Sequence, residues 1–154
     1  MLEAGDAAPD VTLVTPDGAT LSLASLRGRP LVLYFYPKDD TPGCTNEAKA
    51  FTELATAFEE AGAYILGVSK DSPKSHSKFI EKYGLKVALA TDAEGAVCEA
   101  FGVWVEKNMY GRKYMGIERA TFLIDAAGRI ARIWRKVKVP GHAEDVLAAV
   151  HALA

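Results

Sequence analysis

The segment Pro37-Lys38-Asp39-Asp40-Thr41-Pro42-Gly43-Cys44-Thr45-Asn46-Glu47 holds the side chains best suited to chemistry. Thr41 suits a helix N-cap, and Pro42 suits the first helical position, where a missing N–H is no loss. That register makes Gly43 the second and Cys44 the third residue of a helix. Unpaired N–H groups and the positive end of the helix dipole meet there, and both favour an anion. A thiolate is such an anion, and a helix N-terminus can draw a cysteine pKa well below its ordinary value of about 8.5. The chemistry expected is nucleophilic attack by sulfur. Burial as a small apolar residue is the plain alternative for any free cysteine. Thr-Pro-Gly leaves little bulk over this sulfur, however, and the sequence predicts it at the mouth of a cleft.

The elements around this segment follow from hydrophobic periodicity. Leu31 to Tyr36 is a continuous apolar run ended by Pro37, the pattern of a strand buried on both faces. Clefts in α/β sheets form at the carboxyl ends of such strands. Residues 42–61 read as one helix, with Phe51, Leu54 and Phe58 on one face and Glu47, Lys49, Glu53 and Glu59 on others. Further strands are expected at 12–14, 20–23, 64–69, 87–90, 119–124 and 130–137, and helices at 73–83, 93–101 and 142–153. Pro16-Asp17-Gly18 and Asp125-Ala126-Ala127-Gly128 read as turns. Residues 102–118 give no element and read as a loop. The order β, β-α-β-α-β-α, loop, hairpin, helix calls for a mixed sheet flanked by helices. That is the thioredoxin fold in the α/β class, with an N-terminal β extension and a βα insertion at about 85–118, in a single domain over 1–154.

Composition excludes several classes. With 154 residues the chain can bury a core without staples, and 18 Lys+Arg against 20 Asp+Glu gives a net charge of −2. Nucleic-acid binding usually needs a basic excess. The apolar run at 31–36 is far short of a membrane span of about 20 residues, and the acidic N-terminus lacks the apolar stretch of a signal peptide. Two cysteines are too few for a disulfide scaffold. A cytoplasmic protein is expected, with no nucleic-acid or membrane partner. His76, His142 and His151 share no ligand spacing with each other or with a cysteine, so no metal and no cofactor is expected. His142 and His151 are expected on a solvated helix. Trp104, Tyr110, Tyr114 and Trp134 are candidates for an apolar collar around bulky substrates, against the commoner role of packing.

The stretch Phe35-Tyr36-Pro37-Lys38-Asp39-Asp40-Thr41-Pro42-Gly43-Cys44-Thr45 resembles the peroxidatic-cysteine motif of peroxiredoxins, in the form of the peroxiredoxin Q or bacterioferritin comigratory protein branch. Lys107-Asn108-Met109-Tyr110-Gly111, Gly116 to Asp125, and Trp134 to His142 are similar to the same branch, so the resemblance covers nearly the whole chain. It implies a thiol-dependent peroxidase, an antioxidant enzyme of cell redox homeostasis, reducing hydrogen peroxide and organic hydroperoxides. Cys44 would attack the O–O bond and become a sulfenic acid. Thr41 would hold the peroxide, Pro37 would shield the site, and the N–H groups of Gly43 and Cys44 would donate to it. Arg119 is singled out by the resemblance alone, as the cation that stabilises thiolate and developing oxyanion. Glu47 matches an acid that orients the arginine, although an exposed helix glutamate fits the sequence equally well.

The sequence departs from that branch at the resolving cysteine. The two usual positions hold Lys49 and Ile80. Two routes remain open: an external thiol reduces Cys44 directly, or Cys98 resolves it after local unfolding. The expectation is the one-cysteine route, in a monomer, with thioredoxin, glutaredoxin and glutathione, or another thiol as reductant. Cys98 is then a small hydrophobe at the margin of the stripe Val97, Ala100, Phe101, Trp104. A disulfide oxidoreductase would need Cys-x-x-Cys, and position 47 is Glu. A redox sensor, in which oxidised Cys44 signals to a partner, is the competing reading.

Overall fold

A computed structural model describes residues 1–153. Its core is a seven-stranded mixed sheet in the order β2-β1-β5-β4-β3-β8-β9. The strands are β1 (Thr12–Val14), β2 (Thr20–Ser22), β3 (Leu31–Phe35), β4 (Tyr64–Ser69), β5 (Ala88–Thr91), β8 (Ala120–Ile124) and β9 (Ile130–Trp134). β3, β4 and β5 run parallel, whereas β8 and β9 return antiparallel and β1 meets β5 antiparallel. The helices are α1 (Pro42–Glu53), α2 (Ala55–Glu60), α3 (Pro73–Tyr83), α4 (Ala96–Ala100) and α5 (His142–Ala152).

β3 is buried throughout, as its unbroken apolar run requires, and its alternating side chains feed two cores. Leu31, Leu33 and Phe35 join Leu66, Val68, Phe101 and Phe122 on one face. Val32 and Tyr34, with Tyr36 beyond the strand end, join Phe51, Phe58, Phe79 and Val146 on the other. Helices α1, α2, α3 and α5 cover this second face, while α4 and the N-terminal extension cover the first.

The structure corrects several expected elements. The helix over 42–61 is broken at Leu54, whose φ of −99° and ψ of 6° leave the helical region. Its N–H bonds back to Phe51, so the turn tightens, and Phe51 and Phe58 both stay in the core with ring centroids 5.8 Å apart. The helix expected from residue 93 starts at Ala96, because the buried Asp92 carboxylate accepts the N–H groups of Val97 and Cys98 at 3.2 and 2.8 Å. Residues 102–118 are not a loop. They form a second sheet, β6 (Trp104–Met109) and β7 (Arg112–Ile117), closed by Tyr110-Gly111 with φ of 53° and 79°. Two successive positive φ values make the turn that suits a tight hairpin, and tyrosine at the first hides it from a sequence reading. α3 follows its signals, with Ser72 capping Ser75 N–H and left-handed Gly84 ending it.

Gly67 in β4 shows how tightly the second core is filled. A Cβ there would lie 2.6 Å from Tyr34 Cζ and 2.9 Å from Leu89 Cδ2, and both of those side chains are buried. Gly67→Ala is therefore expected to lower stability by about 1–3 kcal/mol in denaturant unfolding. A change within about 0.5 kcal/mol, the usual range for an open surface site, would show the contact to be slack.

Candidate active site

Thr41 occupies the N-cap and Pro42 begins α1, which places Cys44 third in the helix as the sequence predicts. Thr45 N–H reaches Thr41 C=O at 2.8 Å, the first step of the helical ladder. The N–H groups of Gly43 and Cys44 precede that ladder and are free to donate elsewhere. Thr41 does not cap with its side chain: its hydroxyl donates to the Lys38 carbonyl at 2.8 Å, which leaves the oxygen lone pairs as acceptors.

The sulfur is not at an open mouth. Cys44 is 2% exposed and belongs to the second core, because Arg119 folds over it. Arg119 Nη2 lies 3.4 Å from Cys44 Sγ, and Nη1 donates to Glu47 Oε1 at 2.8 Å. Gly43 makes room for this: a Cβ there would stand 3.1 Å from Arg119 Nη2. Glu47 is buried, not one more exposed helix acid, because Cys44 and Glu47 at i and i+3 share the helix face that meets Arg119. Pro37, by contrast, is exposed on the loop between β3 and α1.

Burial sets the electrostatics. It pushes the Glu47 carboxyl up to about 7 against the opposing pull of Arg119. It works to lower Arg119, but Glu47 and Cys44 more than reverse it and raise the guanidinium. Tyr34, whose buried hydroxyl has no partner among the described residues, is raised by burial and then by Glu47 and Cys44. Lys107 on β6 is lowered by burial and then by Arg119, while Cys44 pulls the other way. Tyr34 and Lys107 thus share the field of the site, and neither carries a local sequence signal for it.

Other candidates fall elsewhere. Cys98 is completely buried rather than marginal to its helix stripe, and Ala100 of that stripe is exposed. Burial first, then Asp92, raises its thiol well above the ordinary range. Cys98 lies in the first core and Cys44 in the second, with the central sheet between them. The aromatic collar is not assembled: Trp104 packs against the first core, Trp134 against the second, and Tyr110 stands fully exposed at the hairpin tip with Tyr114 exposed below it. His142 is not on a solvated face. Its Nε2 is 2.8 Å from Thr121 Oγ1, its ring meets Phe51 and Trp134 edge-on, and burial pushes it down to about 4. His151 is exposed.

The AhpC/TSA family pattern matches residues 4–133. A putative peroxiredoxin Bcp of Coxiella burnetii is 51% identical over 95% of this chain and 97% of its own length. A solved structure of Xanthomonas campestris bacterioferritin comigratory protein, from work on its alkyl peroxide reduction activity, is 49% identical. It superposes with a TM-score of 0.90 over 99% of this chain and 98% of that one. The Mycobacterium tuberculosis peroxidoxin BcpB structure is 33% identical, with a TM-score of 0.88 over 100% and 99% of the two chains.

Glu47 binds its proton more tightly in the fold than in the unfolded chain, whose carboxyl titrates near 4.5. The unfolded chain therefore loses that proton first, and stability falls as pH rises from about 4.5 to about 7. Glu47→Gln removes this dependence. Across that window the variant is expected to gain on the parent by on the order of 2 kcal/mol, read from denaturant unfolding. A stability difference that stays constant with pH would contradict it.

Proposed function

The chain belongs to the AhpC/TSA family, in its peroxiredoxin Q or Bcp branch, and on that premise we propose that Cys44 is the sulfur that attacks peroxide. The protein is a thiol-dependent peroxidase of thioredoxin fold, acting on hydroperoxides with a thiol as reductant. The observation that carries the assignment is the guanidinium of Arg119, held by Glu47 within 3.4 Å of the Cys44 sulfur.

In the proposed reaction the Cys44 thiolate attacks the distal oxygen of ROOH. An S–O bond forms, the O–O bond breaks, and the sulfur becomes S–OH while RO⁻ leaves and takes a proton to give ROH. Negative charge spreads over sulfur and two oxygens. Fixed donors stabilise that spread best in a site that excludes water. Arg119 supplies the permanent charge, and the N–H groups of Gly43 and Cys44 supply the dipoles. Thr41, with its hydroxyl hydrogen committed to Lys38, accepts a hydrogen bond from the peroxide. Pro37 stiffens the exit of β3 beside this loop and shields it on the solvent side. An external thiol then condenses with S–OH, releasing water and leaving a mixed disulfide, and a second thiol restores Cys44.

The one-cysteine route is supported by the sheet that separates Cys98 from Cys44 and by the raised, fully buried Cys98 thiol. Joining them would require Cα atoms within about 7 Å, and hence local unfolding. Alkyl hydroperoxides are included as substrates on the strength of the Xanthomonas relative. Thioredoxin, or glutaredoxin with glutathione, would fill the reductant role for a monomer in the cytoplasm.

Intact mass after about one equivalent of hydrogen peroxide, without added thiol, tests the assignment. The reduced chain is expected to gain one oxygen, and Cys44→Ser to gain none. An unchanged mass would refute Cys44 as the reacting sulfur, and loss of two hydrogens would show that Cys98 resolves it. With thiol supplied, turnover should continue; a stall after one equivalent would instead mark a sensor.

A further inference from the structure

The loop that delivers Thr41 and Cys44 is held by a second cluster of buried polar groups. Asp39 lies two residues before Thr41, and its carboxylate is 3% exposed. Three donors converge on it: Tyr36 Oη at 2.5 Å on Oδ1, and Ser75 Oγ and His76 Nδ1, each at 2.8 Å, on Oδ2. The opposite ring nitrogen of His76, Nε2, lies 3.0 Å from the Ala90 carbonyl in β5. His76 therefore bridges the Asp39 side chain to the backbone of β5, with a hydrogen-bond partner on each ring nitrogen. His76 itself is fully buried.

The neighbouring contacts tie down the same short stretch of backbone. Asp39 N–H donates to Asp71 Oδ2 at 2.8 Å, and that oxygen also takes the Ser69 hydroxyl. Asp40 adopts a φ of 58°, an uncommon conformation for a residue with a side chain. Its carboxylate is gripped by Lys82 Nζ at 2.7 Å and Tyr83 Oη at 2.5 Å. Consecutive acids thus bind the two ends of α3, Asp39 the first turn and Asp40 the last. The helix holds residues 39–40 at two points, immediately before Thr41 at the N-cap position of α1.

We propose that His76, hydrogen-bonded on one side to Asp39 and on the other to the Ala90 carbonyl, is a positioning residue for peroxide reduction, fixing the loop that sets Thr41 and the first turn of α1. The role rests on Cys44 being the reacting sulfur. His76 touches neither sulfur nor peroxide; it acts through Asp39. An Asp39 side chain left buried without this partner must be resolvated, and the loop moves to reach water. Thr41 Oγ and the free N–H groups of the first turn would move with it. Reactions that depend on such placement lose rate steeply on small displacements.

The test is the second-order rate constant of the reduced full-length chain with hydrogen peroxide, expressed per folded molecule. His76→Leu removes both hydrogen-bonding nitrogens. His76→Asn keeps an N–H near the position of Nδ1. The Leu variant is expected to react at least about tenfold more slowly and the Asn variant to recover most of that loss. The KM for the thiol reductant should stay unchanged in both, since that step follows. An unchanged rate in the Leu variant would overturn the proposal, as would an Asn variant as slow as Leu. If the Leu variant does not fold, Asp39→Asn, which weakens the same contact, decides: a slower rate with peroxide is expected, and an unchanged rate would overturn the proposal. Cys44→Ser is measured alongside. If it consumes peroxide as fast as the parent, the assignment of Cys44 falls, and the role of His76 with it.

Discussion

A guanidinium shared between a buried carboxylate and a sulfur is the contact on which the rest of the site depends. Arg119 enters from the start of β8, and Glu47 and Cys44 come from one face of α1. A lone charge at that depth is costly, so Arg119 and Glu47 each offset part of the other's burial. Their pairing fixes the guanidinium before any substrate arrives. One edge of the fork is then spent on Glu47 and the other is aimed at Sγ, a division that a flexible ammonium could not hold. Gly43 is part of the same constraint, because a side chain there would press on Nη2.

The sheet turns that local contact into a one-sided active centre. Alternation along β3 sends successive side chains to opposite cores, and the two cysteines divide in the same way. Cys44 therefore has buried charge and helix-terminal N–H groups for neighbours. Cys98 has packed hydrocarbon and the Asp92 carboxylate, which disfavour its anion. The same residue type thus sits in opposite electrostatic surroundings in one small domain, which is what supports the proposed external reductant. Below the loop, α3 and its two acid contacts supply the rigidity that a preorganised site needs, and α5 backs it through His142 against Phe51.

What was legible in the sequence is what local signals determine. Thr41-Pro42-Gly43 announced a helix start and put Cys44 third in it; the unbroken run at 31–36 announced a strand buried on both faces; the pattern over 73–83 announced α3. What stayed hidden depends on partners far along the chain. From the sequence Glu47 fits an arginine-orienting acid and an exposed helix acid equally well, and only Arg119, 72 residues on, folded over it decides for the first. His142 reads as solvated until Thr121, Phe51 and Trp134 enclose it. The β6–β7 hairpin was missed for a different reason, since Tyr110 takes a left-handed conformation that its residue type does not advertise. Leu54 likewise breaks a helix whose periodicity continues through it, while Phe51 and Phe58 on either side both stay buried.

The most direct measurement is the rate of the reduced protein with hydrogen peroxide after Arg119→Leu, with far-ultraviolet circular dichroism confirming the fold. If the guanidinium is what stabilises the charge shared by sulfur and oxygen, the second-order rate constant should fall by at least about 100-fold. A folded variant that keeps its rate within about threefold would contradict the account, and would leave Arg119 as no more than the counter-ion of Glu47.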